Sequence, residues 1–239
     1  MRLFNLPNFL TLINLFAGCI GVVFVFNFQL DLVPYCVLVS LVADFFDGFA
    51  ARFTKNSTDI GKQLDSLADM VSFGFLPGAI IFQMLFQSYE ADTTGYPVQE
   101  IYALASPAFI ITLFSALRLA KFNIDTRQSD GFIGLATPAS TLFVIGLLLA
   151  FLHNSFGLSG LLFYPPLLYG VALVLSVLMI AEIPMFSFKF KSFGWQGNEV
   201  RYLFIILSVV LLATLKFAAV SAIIILYILI SIALKFFKK

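Results

Sequence analysis

The chain has 239 residues, of which 61% are hydrophobic and 11% are charged, with a formal net charge of +1. Its mean hydropathy of +1.01 is far too high for a soluble domain of this length and indicates a polytopic α-helical membrane protein. The near-zero net charge gives no indication of nucleic-acid binding, and the alternating strands of a membrane β-barrel are absent from the sequence.

Apolar stretches of about 15–25 residues follow one another along the whole chain and predict about eight membrane-spanning helices. The predicted spans cover residues 7–28, 32–53, 62–88, 98–122, 133–153, 160–182, 201–215 and 217–236. The last two spans are short and are interrupted only by Lys216. No small-residue cleavage pattern follows the first stretch, so we expect a membrane helix there and not a signal peptide. We therefore expect an all-α bundle forming a single domain over residues 1–239.

The basic residues are divided very unequally between the two sides of these spans. With the N-terminus in the cytoplasm, Lys216 falls outside and the other thirteen of the 14 Lys and Arg residues fall inside. Cytoplasmic loops of membrane proteins carry an excess of Lys and Arg. We therefore expect a multi-pass protein of the cytoplasmic (inner) membrane with both termini inside the cell.

Four carboxylates occur in the second and third predicted spans, where charged side chains are unusual. Asp44 and Asp47 are three residues apart, and Asp65 and Asp69 are four apart, so each pair shares one face of its helix. A charge at the centre of a bilayer costs at least about 2.5–3.5 kcal/mol on insertion scales, and crowding of like charges adds to this cost. Divalent cations, which prefer oxygen ligands, would compensate the charge.

The two spans are joined by a short cytoplasmic turn, so we expect antiparallel neighbours whose acidic faces meet on the cytoplasmic side. Four converging carboxylates suit two divalent ions, an arrangement that activates phosphoryl substrates. Gly48, Ala51 and Gly61 leave room for a bulky ligand close to the backbone. The planar guanidinium of Arg52 suits a pair of phosphate oxygens.

The spacing of these residues resembles the signature of the CDP-alcohol phosphotransferase family, D-x2-D-G-x2-A-R-x8-G-x3-D-x3-D. All eight fixed positions are matched, by Asp44, Asp47, Gly48, Ala51, Arg52, Gly61, Asp65 and Asp69. Members of this family join a CDP-activated donor to an alcohol and release CMP, using two Mg²⁺ or Mn²⁺ ions. The resemblance implies a six-helix core, followed here by extra C-terminal helices, and a homodimer.

The resemblance also implies a role for each residue of the motif. The two metal ions would be held by four carboxylates, those of Asp44, Asp47, Asp65 and Asp69. The last of these, Asp69, would also act as the general base. The CDP group would lie along Asp44, Gly48, Ala51, Arg52, Gly61 and Asp65.

Three downstream segments indicate which alcohol accepts the group transferred from the CDP-activated donor. Residues 66–74, 117–124 and 132–138 resemble the CDP-diacylglycerol–serine O-phosphatidyltransferases, the serine-transferring branch of the family. This resemblance implies phosphatidyl transfer from CDP-diacylglycerol to L-serine within the lipid membrane, with phosphatidylserine and CMP as products. Serine carries a carboxylate and an ammonium group, so its pocket needs a cation and an acceptor. At the end of the fourth span, Arg118, Lys121 and Asn123 are the candidate serine-binding residues.

Other interpretations remain open from the sequence. Glycerol 3-phosphate or an inositol phosphate as acceptor would need further cations, and no second basic cluster is evident beyond Arg118, Lys121 and Arg127. In an ion transporter the aspartates would bind the transported cation, but such proteins commonly show inverted repeats and sites at the bilayer midplane. Arg52 would also repel a cation. A non-catalytic membrane scaffold would not need all four aspartates.

Overall fold

The structure, a computed structural model, describes residues 5–53, 58–92, 95–125, 132–186 and 194–237, without the side chains of residues 236 and 237. Almost all of the described elements are helices, which confirms the predicted all-α bundle. They are α1 (Leu6–Phe26), α2 (Val33–Phe53), α3 (Asp59–Asp69), α4 (Leu76–Glu90), α5 (Val98–Ala105), α6 (Ile110–Ile124), α7 (Thr137–Leu152), α8 (Ser159–Leu162), α9 (Pro165–Ile180), α10 (Glu199–Leu215) and α11 (Ala219–Phe237). Short 3₁₀ segments cover Ser106–Phe109, Ser155–Gly157 and Lys216–Ala218, and a π-helix covers Met70–Phe75.

Five helical stretches among the described residues are long and apolar enough to cross a membrane. They are Leu6–Phe26, Val33–Phe53, Asp59–Glu90, Val98–Ile124 and Glu199–Lys235. The last of these contains both α10 and α11, which are separated by a turn where Lys216 has a φ of 49°. α7 and α9 are also apolar but have only 16 residues each. Each of the eight predicted spans therefore corresponds to a helix or a continuous helical stretch, and the chain is a multi-pass membrane protein.

The predicted membrane orientation depends on the distribution of Lys and Arg residues, and seven of these residues lie outside the described part of the chain. They are Arg2, Lys55, Arg127, Lys189, Lys191, Lys238 and Lys239.

Local signals in the sequence set where several helices begin. α1, α7 and α9 each have a proline in the first turn, where an N–H group would have no intrahelical partner. Asn5 caps α1 by accepting a hydrogen bond from the Asn8 amide at 2.8 Å. Thr58 caps α3 in the same way, with the Gly61 amide as donor at 3.1 Å. These caps define the starts of two helices that border the acidic cluster.

The third span changes from α-helix to π-helix directly after its last acidic residue. Pro77 has no N–H group to donate to the Phe73 carbonyl one turn earlier, and the Thr141 hydroxyl of α7 donates to that carbonyl at 3.0 Å. The Thr112 hydroxyl of α6 donates to the next carbonyl, that of Gly74, at 3.0 Å. Side chains of two neighbouring helices therefore stabilise the wide turn, a feature that often occurs at functional sites.

α1 is the common partner of the two acidic helices. α2 and α3 both pack along α1, whereas α2 makes few contacts with the described part of the third span. A Cβ atom at Gly18 of α1 would lie 2.3 Å from the Ser72 hydroxyl oxygen, so only glycine permits this approach. The acidic faces of the two spans meet as expected, with carboxylates of α2 and α3 within 4.8 Å of one another, although their backbones make few direct contacts. Because both spans pack on α1, their acidic faces meet across a cavity.

The apolar core surrounds α4, in which Ile80, Met84 and Leu85 are fully buried. Residues of α7 and α9 pack around this helix, including Leu148 and Leu168. α10, in contrast, has a single buried residue, Phe204. This decrease in burial from α4 to α10 indicates that the bundle is built around the third span and that α10 lies at its periphery.

A short two-stranded sheet closes one end of the bundle. Strand β1 (Phe132–Ile133) pairs antiparallel with strand β2 (Pro184–Met185). Beside them, the amide of Gly134, which has a φ of 80°, donates a hydrogen bond to the Ile183 carbonyl at 2.9 Å. The predicted spans 133–153 and 160–182 are therefore slightly too long, because their ends form this sheet and its flanking turns.

Candidate active site

The motif carboxylates of α2 and α3 converge at one end of the bundle. Carboxylate oxygens of Asp44, Asp47 and Asp65 all lie within 4.8 Å of one another. Asp69, one helical turn after Asp65, does not belong to this group and is only 9% exposed. In the part of the chain that the structure describes, none of the four carboxylates forms an ion pair.

Three carboxylates at this separation repel one another strongly in a partly buried site. Oxygen-only ligands of this kind are the preferred set for hard divalent cations such as Mg²⁺, Mn²⁺ and Ca²⁺. The donor atoms therefore fit a divalent metal, and they are placed close enough together to share one.

Polar side chains of α1 complete the cluster, although the motif does not contain them. The Thr11 hydroxyl donates a hydrogen bond to the Asp47 carboxylate at 2.6 Å, and the Asn14 amide donates to Asp69 at 3.2 Å. Asn8, Thr11 and Asn14 are all buried and lie along one face of α1. These three residues were not predicted from the motif. The available signal was a polar residue at every third position of an otherwise apolar helix.

A cavity of about 210 Å³ opens beside the carboxylates, between α1, α2 and the start of α3. A Cβ atom at Gly48 would meet no protein atom within 4 Å, and one at Gly61 would lie 3.1 Å from the side-chain oxygen of Asn8. Side chains at these two positions would therefore fill space that a ligand needs. The lining residues are Pro7, Asn8, Thr11, Asp47, Gly48, Ala51, Thr58, Gly61, Lys62 and Asp65.

Arg52 lies in the last turn of α2, and its side chain is exposed. Its Nε atom donates a hydrogen bond to the carbonyl of Gly48, a residue that lines the cavity, at 3.0 Å. This bond holds the guanidinium group near the mouth of the cavity. Its terminal nitrogens can then bind the oxygens of a phosphate group.

The three candidate serine-binding residues of α6 have different surroundings. Lys121 forms an ion pair with Glu182. The Asn123 side chain donates a hydrogen bond to the Ser66 hydroxyl at 2.8 Å, and the main-chain carbonyl of Asn123 accepts one from the Lys62 ammonium group at 2.9 Å. Lys121 and Asn123 thus connect α6 to other segments around the site.

Arg118 is the most buried of the three, with 7% of its surface exposed. Its Nη1 atom donates to the Thr137 hydroxyl at 3.3 Å, and the guanidinium group lies 5.5 Å from the centre of the Phe122 ring. Its Nε atom is buried without a hydrogen-bond partner among the described residues. A buried cation with an unused donor is suited to an anionic ligand group.

Known proteins are similar to this chain over most of its length. A family model for CDP-alcohol phosphatidyltransferase matches residues 4–185. The CDP-diacylglycerol–serine O-phosphatidyltransferase of Helicobacter pylori is 32% identical over 217 residues, which cover 90% of this chain and 84% of the relative. The enzyme of the same name from Methanocaldococcus jannaschii is 30% identical over 192 residues, covering 80% and 79%. Archaetidylserine synthase from Methanothermobacter thermautotrophicus is 30% identical over 182 residues, covering 74% and 68%.

These matches confirm the resemblance inferred from the eight-residue motif, and they extend beyond the motif to most of the chain. The chain belongs to the CDP-alcohol phosphatidyltransferase family.

Proposed function

We propose that this protein transfers the phosphatidyl group of CDP-diacylglycerol to L-serine, forming phosphatidylserine and releasing CMP. The observation that carries the proposal is the buried guanidinium group of Arg118, whose Nε atom has no hydrogen-bond partner among the described residues. The printed names of the relatives from Helicobacter pylori and Methanocaldococcus jannaschii support serine as the acceptor.

The proposed metal ligands are the four carboxylates of the motif, with the close group of Asp44, Asp47 and Asp65 as the main part of the site. Two Mg²⁺ or Mn²⁺ ions bound there would neutralise the carboxylates and the donor pyrophosphate. The cavity lined by Gly48, Ala51 and Gly61 would accept the CDP group. Arg52 would bind its phosphate oxygens at the cavity mouth.

Asp69 is the proposed general base. Its carboxylate accepts the proton of the serine hydroxyl, and the serine oxygen then attacks the phosphorus that carries diacylglycerol. The bond between this phosphorus and the CMP oxygen breaks, and CMP leaves with the electron pair. The hydrogen bond from Asn14 orients the Asp69 carboxylate for this proton transfer.

Arg118 is the proposed partner of the serine carboxylate, since a guanidinium group binds a carboxylate through two parallel hydrogen bonds. Lys121 and Asn123 already have partners in Glu182 and Ser66, which favours a role in holding the walls of the acceptor pocket.

The proposal includes the membrane arrangement. The excess of Lys and Arg on one side supports a cytoplasmic active site and cytoplasmic termini, where soluble serine and CMP are available. The family resemblance supports a homodimer whose subunit is one domain spanning residues 1–239.

The deciding experiment is CMP release from CDP-diacylglycerol by the purified protein with Mg²⁺ or Mn²⁺. Serine, glycerol 3-phosphate and an inositol phosphate are supplied separately, and the lipid product is identified by mass. Release that depends on serine and yields phosphatidylserine is the expected result. CMP release with a different acceptor would overturn serine as the substrate. If no acceptor supports CMP release, the proposed activity is overturned.

Asn14→Ala is expected to lower kcat by about 10–100-fold, as removal of outer hydrogen-bond partners commonly does at metal sites. The substitution removes the hydrogen bond to Asp69 and keeps the Asn14 carbonyl, which accepts hydrogen bonds from Ser40 and Ser72. Steady-state kinetics with serine measures the effect.

The matched control is Asn27→Ala, which removes a hydrogen bond to the Val23 carbonyl at the other end of α1. This variant should retain wild-type kcat. Equal rates for Asn14→Ala and wild type would contradict the role given to Asn14.

A further inference from the structure

α7 begins beside the buried cation of α6, and its first turn has no cap. The Thr137 hydroxyl, in the first position of the helix, accepts the hydrogen bond from Nη1 of Arg118 at 3.3 Å. Ala136, the residue before the helix, has only a methyl side chain, and no side chain caps this turn. The first amides of a helix have no partner inside it, so a buried helix start without a cap needs another hydrogen-bond acceptor.

Two main-chain amides of this turn have no acceptor within the helix. Pro138 has no N–H group, and the Ser140 amide donates to the Ala136 carbonyl at 3.0 Å. The amides of Thr137 and Ala139 remain, and neither has a helical carbonyl one turn earlier. The partial positive charge at the start of a helix adds to the attraction for an anion.

The guanidinium group of Arg118 adds a full positive charge and further donors at the same place. It is 7% exposed, and its Nε atom has no hydrogen-bond partner among the described residues. The fully buried Thr137 hydroxyl keeps its own proton for another acceptor, because it is the acceptor toward Arg118. Since these groups all donate, the ligand that fits them is an anion with two or more oxygen atoms, such as a carboxylate.

Interhelical hydrogen bonds place Arg118 at about the depth of Asp69. α6 is bonded to the third span near both of its ends, to the Ser66 hydroxyl and to the Gly74 carbonyl. Arg118 lies about midway between the two bonded residues of α6, and Asp69 lies about midway between Ser66 and Gly74. The buried cation is therefore level with the carboxylate proposed as the general base.

The first turn of α7 lies at the same depth. α7 runs parallel to the third span, because the far ends of both meet at Phe163, which stacks on a phenylalanine of α7 and accepts a hydrogen bond from a serine of α4. The Thr141 hydroxyl donates to the Phe73 carbonyl at 3.0 Å. One turn earlier on each helix are Thr137 and Asp69, which are therefore also level with each other.

We propose that the first turn of α7 and Arg118 together form a subsite for the carboxylate of the acceptor amino acid, whose hydroxyl is then directed towards Asp69. This inference rests on the proposed function. The axes of packed helices are about 8–10 Å apart, so a small amino acid held at Thr137 can reach a carboxylate at the same depth on the third span. The cavity proposed for the CDP group is lined by other helices, α1, α2 and α3. The subsite therefore selects the acceptor and does not bind the donor.

Thr137→Val keeps the branched shape of the side chain and removes the hydroxyl. The KM for serine should rise about tenfold, the effect of losing one hydrogen bond to a charged group. The KM for CDP-diacylglycerol should stay within about twofold of wild type. The matched control is Thr214→Val, which removes an exposed hydroxyl of α10 that donates to the Val210 carbonyl, and it should keep both wild-type values.

Ala136→Asp separates ligand binding from a structural role of this turn. An aspartate at this position accepts a hydrogen bond from the Ala139 amide and stabilises the start of the helix. The melting temperature should therefore not fall, whereas the KM for serine should rise at least tenfold because the new carboxylate occupies the subsite. A purely structural role of this turn predicts a stable variant with the wild-type KM for serine.

Two serine analogues test the chemistry of the subsite in the wild-type protein. L-Alanine keeps the carboxylate and the ammonium group of serine but has no hydroxyl, so it should compete with serine without reacting. L-Alaninamide has no carboxylate and should inhibit at least tenfold more weakly.

The inference would be overturned by equal inhibition by the two analogues or by a wild-type KM for serine in Thr137→Val or Ala136→Asp. An equal rise in Thr137→Val and its control would overturn it as well. Absence of serine-dependent CMP release by the wild-type protein would instead overturn the proposed function.

Discussion

Asp69→Asn is expected to reduce serine-dependent CMP release by about 10²–10⁴-fold, the usual contribution of a positioned general base. An amide cannot take up the proton of the serine hydroxyl. Asparagine has nearly the same shape as aspartate and retains an oxygen that can accept the hydrogen bond from Asn14. The loss should therefore reflect the missing base and the missing ligand charge, and not a collapse of the surrounding helices.

The rate is measured as CMP release at saturating serine and CDP-diacylglycerol, with Asp59→Asn as the matched control. Asp59 is an exposed carboxylate in the first turn of α3, the helix that ends at Asp69. The control should keep the wild-type rate, and both variants should elute as the wild type does in size-exclusion chromatography. A fully active Asp69→Asn protein would remove this residue from the mechanism.

Asp65→Asn is expected to have opposite effects on stability in the absence and presence of metal. Without metal, the substitution removes one of three carboxylates that lie within 4.8 Å of one another, so the repulsion falls and the melting temperature rises. With metal, the wild-type protein gains stability by mass action, about 2.7 kcal/mol at a concentration 100 times the Kd. Asp65→Asn should lose most of this gain and, with it, the CMP-releasing activity.

Thermal unfolding in detergent, with chelator and then with Mg²⁺ or Mn²⁺, measures both effects. For a chain of this size each kcal/mol corresponds to a shift of about 2–4 °C in the melting temperature. Asp59→Asn again serves as the control, because its carboxylate lies outside the close group. A metal-induced shift in Asp65→Asn as large as that of wild type would contradict the assignment of Asp65 as a ligand.

Much of the site could be predicted from the sequence because its main signal is local. Asp44 and Asp47 share a helix face through their spacing alone, as do Asp65 and Asp69. The apolar surroundings made these charges conspicuous, and the eight spaced residues identified the family. The approximate limits of the helical stretches followed in the same way from hydropathy and from prolines in first turns.

The contribution of α1 could not be predicted in this way, because hydrogen bonds between helices depend on rotation and depth as well as on spacing. Thr11 and Asn14 are separated from their partners by 36 and 55 residues in the chain. A threonine or an asparagine in an apolar helix is also compatible with packing or with a bond to its own backbone. The same limit applies to Lys121, whose partner Glu182 lies 61 residues further along the chain.

The sequence by itself determined the class of protein, the eight helical stretches and the acidic motif, because hydropathy and helical periodicity act over a few residues at a time. Only the tertiary structure decided that α1 is the common partner of the acidic spans and that Asp44, Asp47 and Asp65 form the close group of carboxylates. It also decided that the last helix contacts the segment around strand β2, since close packing of small residues such as Gly18 and Gly146 sets which distant helices can meet.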